Sequence, residues 1–76
     1  MNTARRKLIA QAKELIEQAQ SLIETAQDEE QEAYDNMPES FQEGEKGEKA
    51  QAALEALEST LDNIREANDN LDVASE

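Results

Sequence analysis

Residues 27–49 read QDEEQEAYDNMPESFQEGEKGEK, and the fold turns on how this stretch is read. Two strongly amphipathic segments flank it. Within it the hydrophobic pattern stops, a turn is signalled at Asn36-Met37-Pro38, and negative charge accumulates. Residues 24–48 hold ten Asp and Glu against a single Lys, a balance of -9 out of the chain's net -12. The stretch is therefore expected to be the bend between two helices and the most acidic part of the molecule.

Upstream, the chain repeats every seven residues: KLIAQAK, ELIEQAQ, SLIETAQ, then DEEQEAY. Three columns recur, namely Leu8, Leu15 and Leu22; Ile9, Ile16 and Ile23; and Ala12, Ala19, Ala26 and Ala33. Two apolar columns in seven suit a two-stranded coiled coil, whereas three make a stripe wide enough to face more than one neighbouring helix. In the fourth repeat Glu29 and Glu30 take the Leu and Ile places, so the apolar stripe ends by substitution while helical propensity continues to about Asp35. Asn2 or Thr3 can cap the start, although Arg5, Arg6 and Lys7 oppose the helix dipole there.

Asn36-Met37-Pro38-Glu39 resembles a capping box, with Asn36 or Met37 as the cap and Pro38 in the first turn, where its missing N–H is harmless. The second helix should span about 38–74. Its start before residue 48 is weak, because Gly44 and Gly47 each cost about 1 kcal/mol relative to alanine in a helix interior. From Ala50 onward the seven-residue period returns: Ala50, Leu57, Ile64 and Leu71; Leu54, Leu61 and Asn68; Ala53, Thr60, Ala67 and Ala74. With a bend at residues 35–38, residue i is expected beside about 73 minus i. That pairing sets Leu15 against Leu54 and Leu57, and Arg5, Arg6 and Lys7 against Glu66, Asp69 and Asp72.

Composition bounds the rest. Seventy-six residues with sixteen large apolar side chains make one small domain, and a lone hairpin of this size is marginal. The chain has no Cys and no His, which removes disulfides and thiolate or imidazole metal sites as sources of extra stability. Self-association, or docking on another protein, is the route left. High charge with few aromatics is also the composition of disordered chains; the regular period argues for helix instead. Nineteen acids against seven bases repel nucleic acid and anionic membrane and favour a basic partner. No apolar run has the length of a membrane span, and Met1-Asn2-Thr3-Ala4-Arg5 leads into no signal-peptide core, so a cytoplasmic protein is expected.

The candidate partner-binding residues are Asp28, Glu29, Glu30, Glu32, Asp35, Glu39 and Glu43, with Tyr34 and Phe41. Carboxylates spaced about a turn apart along two helices present a ladder of negative charge that a nucleic-acid-binding groove can accept in place of a phosphate backbone. The plainer reading is a solvated helix end that maintains solubility. Tyr34, Met37 and Phe41 can form an exposed anchor set or fold inward as a plug. The candidate oligomerisation residues are Leu8, Ile9, Leu15, Ile16, Leu22, Ile23, Leu54, Leu57, Leu61 and Ile64. Asn68 interrupts this seam, either to set register or because the core has ended. The acids do not follow the calcium-loop spacing, and no serine has a base beside it in the sequence pattern. No metal, no cofactor and no enzymatic activity are expected.

The centre of the chain, DEEQEAYDNMPES followed by GEKGEK, resembles the middle of small acidic helical-hairpin proteins of bacteriophages and prophages, through Asp28–Ser40 and Gly47–Ala50, with Gly44 interrupting a stretch that looks more continuously helical in those relatives. The likeness covers about half the chain, and no settled activity comes with it. It implies a phage-type accessory protein, for which inhibiting a host defence or nucleic-acid enzyme is a common role. Together these readings give an all-α antiparallel two-helix hairpin, dimerising into a four-helix bundle, that binds a basic host protein through its acidic bend. The alternative is a structural or assembly protein acting through helix packing alone.

Overall fold

A computed structural model describes all of Met1–Glu76. It is all-helical, with no strand: α1 spans Thr3–Asp35, α2 Glu39–Gln42 and α3 Glu45–Ala74. The molecule is extended, 58 × 15 × 12 Å. α1 and α3 lie against each other and run antiparallel, since Lys13 pairs with Asp72 at one end and Tyr34 bonds Gln51 near the other.

The starts and stops follow local chemistry. Asn2 caps α1, its side-chain oxygen accepting from the Arg5 N–H at 2.9 Å. At the far end the N–H of Asn36 donates to the Glu32 carbonyl at 3.0 Å and that of Met37 to the Tyr34 carbonyl at 3.1 Å, closing the last turn. The capping box expected at Asn36–Glu39 does not form. Pro38 is extended, with φ -56° and ψ 147°, and is itself the residue preceding α2, without a side-chain cap. Its carbonyl accepts from the N–H groups of Phe41 and Gln42.

Gly44 then breaks the second helical segment. Its backbone is extended (φ -96°, ψ -165°) and precedes α3. Gly47 has a different role: a Cβ built there would stand 1.9 Å from the carbonyl oxygen of Gln42. The first turn of α3 packs directly on the end of α2, and only a residue without a side chain fits the gap.

Residues 36–44 therefore make a longer connection than the expected bend at 35–38, and the register shifts accordingly. Lys13 with Asp72 and Tyr34 with Gln51 place residue i beside about 85 minus i, not 73 minus i. Leu15 is level with Asn70 instead of Leu57. The large partly covered side chains of α1 include Ile9, Lys13, Ile16, Gln20, Ile23, Gln27, Glu30 and Tyr34, alternating by four and three, with Ala12, Ala19 and Glu24 partly covered beside them. On α3 the covered positions are Gly47, Ala50, Leu54, Leu57, Leu61, Ile64, Asn68, Leu71 and Ser75, alternating by three and four, of which Gly47, Ala50 and Leu61 are buried, with Ala53 partly covered beside them. Each helix thus gives the other a two-column seam of the coiled-coil kind.

The leucine column of α1 lies outside that seam, about 100° round the helix from the isoleucines. Leu8 and Leu15 are each 65% exposed and Leu22 is 72% exposed, whereas Leu61 at 3% and Ala50 at 4% are the only buried apolar side chains, and none is fully buried. Polar Lys13, Gln20 and Gln27 take the places on α1 that leucines hold on α3. The interior is correspondingly thin.

Candidate functional site: the acidic bend

The bend is held from inside by Tyr34. Its hydroxyl accepts from Gln51 Nε2 at 2.8 Å, and its main-chain carbonyl accepts from Gln42 Nε2 at 2.9 Å. Two glutamines, one on α2 and one on α3, thereby clamp the last turn of α1. Nothing in the spacing of the sequence marks Gln42 or Gln51 for this part. The three apolar residues near the bend divide: Tyr34 and Met37 are half-buried, while Phe41 stays 48% exposed with the Lys46 ammonium 5.1 Å from its ring centroid. That contact is a cation–π pair at an exposed site.

Around this clamp the carboxylates stand in solvent. Asp28, Glu29, Glu32, Asp35, Glu39 and Glu43 are exposed, and Glu30 is half-covered against α3. None of the seven is in an ion pair; the cross-helix pair is Lys13–Asp72, and the others, Lys49–Glu45 and Arg65–Asp62 at 3.3 Å each, lie within α3. Asp35 accepts from Gln31 Nε2 at 2.9 Å, a neutral contact that leaves its charge in place. Glu39, Glu43 and Glu48 border a shallow open groove whose floor is Tyr34, Met37, Gln42 and Gln51. No three metal-ligating side chains converge anywhere on the molecule. The site offers concentrated negative charge with an aromatic edge.

The cations expected to neutralise the open end do not do so. The register shift carries Arg5, Arg6 and Lys7 beyond the level of the last residue of α3, away from Glu66 and Asp69, and Asp72 pairs with Lys13 instead. One end of α1 therefore keeps free positive charge and the other keeps free negative charge.

Of the candidate oligomerisation residues, Ile9, Ile16, Ile23, Leu54, Leu57, Leu61 and Ile64 face the α1–α3 seam, and Leu8, Leu15 and Leu22 face solvent. Asn68 is half-buried in the seam, and its Oδ1 is buried without a hydrogen-bond partner. The fold and this site define an all-α, extended acidic protein. No family profile, curated protein or solved structure matches the chain. No helix is long and apolar enough to cross a membrane.

Proposed function

We propose that this chain is a small acidic interaction protein of the phage accessory type, which binds and inhibits a basic host protein through the bend. The target class is a host-defence or nucleic-acid enzyme in the host cytoplasm, and the bend competes for its nucleic-acid groove by imitating backbone charge. One observation carries the reading: seven carboxylates gathered at one end of a 58 Å rod are unpaired by any cation of the chain. A helix end that needed only to be soluble would be served equally by mixed charge. Such a surface speeds encounter with a basic groove and binds it with strong salt dependence.

The test replaces Glu29, Glu32 and Glu43 by Gln and Asp35 by Asn, on a chain whose helicity is checked by circular dichroism. Binding to a basic nucleic-acid-binding protein, read as displacement of labelled duplex DNA, should weaken at least tenfold for the variant. For the unaltered chain it should fall steeply between 50 and 300 mM salt. Displacement that is indifferent to both changes refutes the reading.

The same reading takes the α1–α3 pair as a helical hairpin that associates in two copies as a four-helix bundle. Its support is the exposure of Leu8, Leu15 and Leu22 beside an interior with two buried apolar side chains. Should that packing surface itself be the active one, the chain is an assembly protein. Leu15→Asp would then abolish activity while the neutralised bend kept it.

A further inference from the structure

The two flanks of the α1–α3 pair are chemically unlike. In an antiparallel pair, a two-fold perpendicular to the plane of the helices relates equivalent columns, so like columns fall on the same side. One flank carries the cross-helix side-chain bonds, Lys13 to Asp72 and Gln51 to Tyr34. The other flank carries the alanine column of α1, with the exposed leucines at its rim, and the Ala53, Thr60, Ala67 column of α3. Over the span of Leu8 to Ala26 the two columns of α1 on this flank hold no charged residue, in a chain that is 34% charged. A shallow floor of small side chains beside a ridge of leucines is a shape that accepts another helix closely.

What covers it is argued from the charges at its ends. The uncharged strip is bounded on α1 by Arg5 at the start of its alanine column and by Glu29 at the end of its leucine column, neither of them in an ion pair. Such a strip is complementary to its own reverse. Resting on the reading that two copies associate, we infer that the second copy lies on this flank with α1 antiparallel to α1 and a two-fold axis at Leu15. Leu8 then meets Leu22 of the other copy. Arg5 of each, level with residue 25 of the other, lies about one turn from Glu29 there. The reverse, parallel arrangement would bring both acidic bends together, at -9 each, with nothing between them.

The antiparallel arrangement is isologous and closed. Because its axis passes through Leu15, residues 1–29 of the two α1 helices overlap, and the bends beyond them project at opposite poles. The assembly is bivalent, and binding to a target with two basic sites, or to a repeated one, gains from effective concentration.

The chain contains no cysteine, so single cysteines at exposed positions report contacts without background. Mixing Leu8→Cys with Leu22→Cys under mild oxidation should give the mixed disulfide in several-fold excess over either self-linked species, and Leu15→Cys should link to itself. Self-linked 8–8 and 22–22 products overturn the orientation. A dimer mass by light scattering with no link at any of the three positions overturns the flank. A monomer mass across micromolar to millimolar concentration, with helicity retained, removes the two-copy reading itself. As a second measurement, Arg5→Glu should weaken the dimer severalfold and Glu29→Arg in the same chain should restore it; failure of rescue overturns the charge pairing.

Discussion

At Gly47, a rule about single residues and the packing around it point in opposite directions. Helix propensity alone says that Gly47→Ala, within α3, should stabilise by about 1 kcal/mol. The carbonyl of Gln42, 1.9 Å from where the new methyl would sit, says the reverse. Overpacking of this kind costs about 1–3 kcal/mol, so Gly47→Ala should lower the urea midpoint and loosen the bend, seen as faster proteolysis between α2 and α3. Asn68 offers the opposite case. Its buried Oδ1 has no partner, and such an atom costs about 1–3 kcal/mol. Asn68→Leu should therefore raise the melting temperature by several degrees; a fall would mean that the amide has a structural role in register.

On the scale of the helix, the seam is uneven. Leu61 is its best-covered side chain, opposite Ile23, and Leu61→Ala should cost about 2–3 kcal/mol, measured by chemical denaturation. Lys13–Asp72 joins the same two helices, but both side chains are partly solvated. Lys13→Met should change stability by less than about 1 kcal/mol, with helicity unchanged. α1 repeats Leu, Ile and Ala with equal regularity, and periodicity ranks none of these columns first. The longer connection through α2, clamped on Tyr34 by Gln42 and Gln51, turns the isoleucines toward α3 and leaves the leucines outside.

For the molecule as a whole, charge sets the response to conditions. A net -12 with three ion pairs among 76 residues means that self-repulsion outweighs internal pairing. Raising salt from about 10 mM to 1 M shortens the screening length from about 30 Å to 3 Å. The melting temperature should rise across that range, whereas a protein held by ion pairs would lose stability. Binding through the bend should weaken over the same range, so stability and affinity are expected to move in opposite directions with salt.

The seven-residue repeats, the acid-for-leucine change at Glu29 and Glu30, and the Pro and Gly punctuation are local signals. They were enough to mark an all-helical chain whose acids gather at one bend. Those properties depend on the order of residues alone, because hydrophobic period and charge density are written along the chain. Which face of each helix is covered depends on how many residues the bend consumes and where Gly47 lets α3 approach. Close packing between segments distant in sequence settles both. That is why the shift from 73 to about 85 in the pairing rule, the stranding of Arg5, Arg6 and Lys7, and the exposure of the leucine column emerge only in the folded molecule.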